Sequence, residues 1–254
     1  MAKITLSKLN VIKFLLVLIV PLTSTTNIAQ TKENIYIDSK AKEMGITTTE
    51  LQAILNSVLR NGGSGDLQPE AITERFFTGQ AAGDRFGISV STAGDVNGDG
   101  YSDIIVGAPF NDAGGNDAGR AYIYFGGTSM DNIADVIMTG EAADDRFGFP
   151  VSTAGDVNGD GYNDVIVGAI FNDAGGNTAG RAYIYFGGTS MDNNVDVTMT
   201  GEAAGDFFGI SVSTAGDVNG DGYSDVIVGA YFNDAGGSDA GRAYIYFGGH
   251  QWII

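Results

Sequence analysis

The stretch Asp95-Val96-Asn97-Gly98-Asp99-Gly100-Tyr101-Ser102-Asp103 is followed, at a fixed step of 61 residues, by two near-copies at residues 156–164 and 217–225. Phe86, Phe147 and Phe208 keep the same step. A chain of such copies folds as an array of like units, a solenoid or a propeller, because each unit buries its apolar face only against the next. The copies are so alike that likeness alone cannot mark functional residues. The chemistry of each position has to sort them.

Asp95, Asn97 and Asp99 carry side-chain oxygens at alternate positions, Tyr101 offers its backbone carbonyl, and Asp103 closes the loop with a further carboxylate. Asp156, Asn158, Asp160, Tyr162 and Asp164 repeat the set, as do Asp217, Asn219, Asp221, Tyr223 and Asp225. Alternating oxygen donors on a tight loop suit a hard cation. Gly98 and Gly100 flank the third donor, where positive φ is expected and glycine adopts it without steric cost. One Ca²⁺ per repeat, three in total, is the expected complement; Mg²⁺ suits the loops less because it holds its waters. The EF-hand is excluded. It needs a bidentate Glu at the twelfth position and flanking helices, whereas the twelfth positions here are Val106, Val167 and Val228.

The residues after the loop, Ile104-Ile105-Val106-Gly107-Ala108, form a short β-branched run that reads as a buried strand. Within the first unit the patterning predicts four strands: Phe86 to Thr92, Ile104 to Ala108, Arg120 to Phe125 and Ala134 to Met138. Four strands per unit is the make-up of a propeller blade.

Phe86-Gly87, the acidic loop, and then Gly107-Ala108-Pro109 together resemble the FG-GAP repeat of integrin alpha-subunit β-propellers. The later copies keep Phe147-Gly148 and Phe208-Gly209 but read Gly168-Ala169-Ile170 and Gly229-Ala230-Tyr231, without the proline. The resemblance covers about residues 71 to 250. It implies an all-β fold of three four-stranded blades, as an incomplete propeller or one completed by oligomerisation. It also implies calcium in the loop between the first two strands, carried over to the fifteen positions above.

Ahead of the repeats, Lys3, Lys8 and Lys13 precede the apolar run Phe14-Leu15-Leu16-Val17-Leu18-Ile19-Val20, which reads as a secretory signal peptide over residues 1–29. The run is short for a membrane span of about 20 residues, and an uncleaved anchor is the alternative. Residues 30–70 form a helical segment and linker. Thr47-Thr48-Thr49-Glu50 is a capping box, and Leu51, Ile54, Leu55, Val58 and Leu59 make one apolar stripe that Asn61-Gly62-Gly63 ends. The repeat region, residues 71–254, divides at about 131 and 192. The chain is therefore expected outside the cytoplasm, secreted, at the cell surface or in a periplasm. Without Cys, calcium rather than disulfides would stiffen it there.

A net charge of −18 excludes nucleic acid as a partner, since phosphates repel an acidic surface. Catalysis has little to work with. The one His is His250, outside the repeats, and the loop carboxylates have a better use as cation ligands than as a glycosidase-type pair. The loops at the far ends of the blades, Asn111-Asp112-Ala113-Gly114-Gly115 with Asp84-Arg85, Asp145-Arg146 and Asp206-Phe207, read either as solvated turns or as a recognition surface for an extracellular protein or polysaccharide. A purely structural, calcium-stiffened repeat is the second reading, and a piece of a longer propeller the third. Residues 72–78 align one period before the fourth strand and are expected to form one, while the third copy reaches Gly249 without its own. Three blades are few for a ring of about four to eight, so the unpaired edges also point to a homo-oligomer that completes the propeller.

Overall fold

The computed structural model describes residues 38–39, 41–43, 45–51, 53 and 74–249, and the chain divides into two compact units, Met1–Glu74 and Arg75–Ile254. The expected signal peptide, most of the apolar helix stripe, the linker, His250 and Trp252 to Ile254 lie outside the described residues. In the first unit the capping box forms: Glu50 N donates to Thr47 Oγ1 (3.1 Å) and Thr47 N to Glu50 Oε2 (2.8 Å), which lowers the Glu50 pKa, and the chain turns helical at residue 48. Leu51, the first residue of the stripe, is buried.

The second unit is all-β. The first copy gives β1 (Ser89–Gly94), β2 (Asp103–Ala108), β3 (Arg120–Tyr124) and β4 (Val136–Thr139); the second gives β5 (Val151–Gly155), β6 (Asp164–Ala169), β7 (Arg181–Tyr185) and β8 (Val197–Thr200). The third gives β9 (Phe208–Gly216), β10 (Asp225–Ala230) and β11 (Arg242–Tyr246). Each copy is one antiparallel meander, paired in the order β1-β2-β3-β4, β5-β6-β7-β8 and β9-β10-β11. The third sheet therefore has three strands among the described residues. Of the strand expected at 72–78, residues 74–78 lie among the described residues and have no strand pairing there. A fourth strand is held by the third strand of its own sheet, and this segment has no such neighbour.

The sheets face one another in series, and the core lies between them. Ile105, Ile123, Val136 and Met138 of the first sheet interlock with Val151, Val165, Val167 and Tyr183 of the second. Ile166, Ile184 and Met199 of the second meet Phe208, Val212, Val226 and Val228 of the third. Both faces of the second sheet are thus covered, which is why β6 is buried along its whole length. The Phe of each Phe-Gly pair packs edge-on against the tyrosine pair of its own third strand: Phe86 on Tyr122 and Tyr124, Phe147 on Tyr183 and Tyr185, Phe208 on Tyr244 and Tyr246.

The glycines of the two halves of the motif meet across the junction between sheets. A Cβ on Gly107 would fall inside van der Waals contact of the Gly148 carbonyl, 2.9 Å from its carbon, and Gly168 is closed off in the same way by Gly209. The Gly-Ala step is where one blade lets the next approach, so backbone packs on backbone.

Candidate metal centres

Each acidic loop is set up by a bulge. The register of β1 on β2 shifts between Thr92 and Gly94, and Gly94 N donates to Thr92 Oγ1 (3.1 Å), so the chain leaves the sheet one residue ahead of Asp95. The second and third copies repeat that short bond at Gly155 and Gly216. Gly98 and Gly100 then take φ of 76° and 89°, and their counterparts keep to the same region. The sequence expected this curl.

The donors curl the loop around themselves. Asp95 Oδ1 accepts from Gly98 N (2.8 Å) and Asp99 N (3.1 Å), and Oδ2 accepts from Gly100 N (2.9 Å). Asn97 Oδ1 accepts from Asp99 N (2.9 Å), and Asp99 Oδ1 from Tyr101 N (2.9 Å). Asp156, Asn158 and Asp160 make the same bonds, as do Asp217, Asn219 and Asp221. Among the described residues no three Asp, Glu, His or Cys side chains close on a common point as a preformed cage. The donor set nevertheless fits a hard cation: it is all oxygen, and an ionised carboxylate oxygen that accepts one N–H keeps a further lone pair.

Asp103 stands apart from the other donors. It is fully buried at the foot of the loop, with Oδ2 accepting from Val96 N (2.8 Å) and Oδ1 from Gly126 N (2.7 Å) after β3. Asp164 and Asp225 hold Val157 and Gly187, and Val218 and Gly248, in the same way. The ninth residue therefore ties the loop to the connection beyond the third strand. Burial raises the Asp103 carboxyl and pushes that of Asp164 up to about 7; the two amide bonds pull each down, and the like charges of the other loop carboxylates add to the rise. A cation at the loop would offset that crowding.

Consecutive loops are coupled. Asp95 N donates to Asn163 Oδ1 (2.9 Å), Asn163 N returns a bond to Asp95 O (3.0 Å), and the Tyr162 ring lies over Gly98. Tyr162 thus supplies its ring to the preceding loop, a role no pattern within one loop announces.

The opposite ends of the strands hold a second repeated arrangement, which the sequence reading missed. Asn111 Nδ2 donates to Asp84 Oδ2 (2.7 Å), Asn172 to Asp145 (2.8 Å) and Asn233 to Asp206 (2.7 Å), all six residues buried. These are latches inside the turns and not solvated side chains. The one available signal was the constant 27-residue separation. Beside them runs a stack across the blades: Arg85 over Phe110 (4.2 Å), Arg146 over Phe110 (4.7 Å) and Phe171 (4.4 Å), then Phe207 edge-on to Phe171 and Phe232 (both 5.5 Å). Residues 85, 146 and 207 all sit at positive φ, 52°, 54° and 53°, which turns their side chains along the rim.

Comparison with known proteins matches the FG-GAP repeat profile to residues 86–124, 149–185 and 208–246. Over 181 residues the chain is 34% identical to integrin alpha-5 of Xenopus laevis, an alignment that covers 67% of this chain and 17% of that protein. It is 35% identical over 161 residues to integrin alpha-6 of Gallus gallus, covering 62% and 14%, and 36% identical over 172 residues to integrin alpha-PS2 of Drosophila melanogaster, covering 62% and 12%. The chain thus spans between 12% and 17% of the length of these relatives.

Proposed function

We propose that this chain, an FG-GAP repeat protein with three repeats, is an exported adhesion or recognition module whose blades are stiffened by calcium. The observation that carries the reading is the threefold recurrence of an all-oxygen loop, curled by its own side chains and crowded with like charge. The ligand set is the one expected from the sequence. Asp95, Asn97, Asp99 and the Tyr101 carbonyl hold the ion in the first loop with Asp103 beneath it, and the second and third loops follow. One Ca²⁺ per repeat, three in total, offsets carboxylates that otherwise repel one another. Export places the chain where calcium is abundant enough for loops of modest affinity.

Recognition belongs to the opposite rim. The Arg–Phe stack and the latched turns make a rigid, partly aromatic ledge that faces away from the metal loops, suited to an extracellular protein or polysaccharide. A second copy of the chain is the other partner, at the open faces of the outer blades. The reading is one of binding and not catalysis, because the repeated carboxylates are engaged with backbone amides, with asparagine or as cation ligands. Metal analysis of the dialysed exported protein, with titration calorimetry, tests the calcium reading: three Ca²⁺ per chain support it, and none bound at millimolar calcium overturns it. Calorimetry against extracellular polysaccharides and proteins separates a recognition module from a purely structural repeat.

A further inference from the structure

Both junctions inside the chain are made by one set of contacts displaced by 61 residues. Asn163 N and Ser224 N donate to Asp95 O (3.0 Å) and Asp156 O (2.9 Å); Gly188 N and Gly249 N donate to Val96 O (2.7 Å) and Val157 O (2.8 Å). Within each of the first two sheets, Gly140 N and Gly201 N donate to Gly119 O and Gly180 O, both at 2.9 Å, which continues the pairing of the fourth strand on the third. One period later the acceptors are Asp217 O, Val218 O and Gly241 O. One period earlier the donors are Ser102 N, Gly127 N and Gly79 N. Among the described residues none of these six groups makes the corresponding bond.

The side chains show the same asymmetry. Val151 and Val212 are 5% and 8% exposed inside the junctions, whereas Val90, one period earlier, is 65% exposed. Ile123 and Ile184 are fully buried, whereas Ile245 is 48% exposed. Gly107 and Gly168 are closed off by the next blade, but a Cβ on Gly229 meets nothing nearer than Ser211 Cβ at 3.5 Å. The trailing face of the third sheet is thus a copy of two faces that are already mated, and the leading face of the first sheet is a copy of what mates with them.

We propose that the trailing face of the third blade receives the leading face of the first blade of a second copy of this chain. Residues 75–78 of the incoming copy add as the fourth strand along β11, with Phe77 opposite Ala243 and Thr78 opposite Arg242, as Met138 and Thr139 stand opposite Ala121 and Arg120. Phe77 already lies on Tyr124 at 4.4 Å and is half-buried against its own blade. Joined at both ends, two copies of the described repeats contribute twice three blades, within the range of about four to eight for closed propellers. Closure also removes the free strand edges. The inference rests on the blade reading of the repeats and is independent of whether the loops hold calcium.

The decisive variants are Gly229→Ala, which sets a methyl where the incoming Gly87 carbonyl would lie, and Val90→Glu, which charges the leading face. The exported protein is studied by sedimentation velocity at about 0.15 M salt, where charge repulsion between acidic copies is screened, with and without calcium. Circular dichroism and calcium stoichiometry are followed in parallel, so that a failure of the calcium reading is seen separately. The wild-type chain is expected to sediment as a pair at micromolar concentration, and each variant as a folded single copy. Mixing the two variants gives a one-to-one pair held by one intact junction, the third blade of the Val90→Glu copy on the first blade of the Gly229→Ala copy, while the other junction stays open. A folded wild-type single copy, variants that still pair alone, or a mixture that stays single overturns the proposal.

Discussion

Gly107→Ala probes how closely neighbouring blades approach. Gly107 lies in β2 at ordinary backbone angles, so a methyl costs nothing in φ and by itself favours folding by about 0.5–1 kcal/mol through the lost flexibility of glycine. Against that, its Cβ would press on the Gly148 carbonyl, with the carbon at 2.9 Å and the Cα at 3.4 Å, and the obstacle is backbone that no rotamer change can clear. The sheets would have to part at the centre of the first junction, loosening the cluster that holds Ile105, Ile123 and Val167. Overpacking of this kind costs about 1–3 kcal/mol, occasionally more. Net destabilisation is then about 1 kcal/mol, or a fall in melting temperature of roughly 2–4 °C for a domain of this size. The control is Gly229→Ala, whose new methyl has open space within the chain. Both are compared by calorimetry in a Val90→Glu background, in which copies are expected not to pair. Gly229→Ala should melt at or slightly above its parent. Equal melting temperatures for the two glycine variants would refute the claim that the Gly-Ala step is where blades touch.

Phe147→Ala removes a side chain that is buried between two sheets and seated on Tyr183 and Tyr185, and should cost about 3–5 kcal/mol by denaturant titration. Chelation should lower the melting temperature of the wild type. The loss is about 2.7 kcal/mol for each site that had been held at a hundred times its Kd, and coincident melts with and without chelator would contradict the metal assignment. Asp99→Ala should lower the bound calcium by one while the second and third loops still load, as metal analysis would report. The Asp164 carboxyl, pushed up to about 7, binds its proton more tightly folded than unfolded. Metal-free stability from this group should therefore fall as pH rises from about 4 to 7, while calcium affinity rises over the same window because the ligand must be ionised; melts and calorimetry at stepped pH check both signs. Asn172→Ala strands the buried Asp145 carboxylate without its amide donor and should cost about 1–3 kcal/mol in denaturant titration.

The period, the blade count and the curl of the acidic loops were legible in the sequence because each is a local property. Loop curl needs glycine and alternating oxygens within nine residues, and a strand needs a β-branched run, so the expectations for β2, β3 and β4 fell within two residues of the observed bounds. The first strand was placed too early: in the first two copies the Phe-Gly pair stands outside the strand, with Gly87 and Gly148 at positive φ. Tertiary structure alone decided the rest, because each remaining feature joins residues whose separation no local pattern encodes. The burial of Asp103 under two amides, the latch of Asn111 on Asp84 and the reach of Tyr162 over the preceding loop appear only once strands pair and sheets face one another. The same holds for residues 74–78, which carry the pattern of a fourth strand yet form none here. Side-chain alternation sets which face a residue would present, but a strand exists only where another strand's amides are there to receive it.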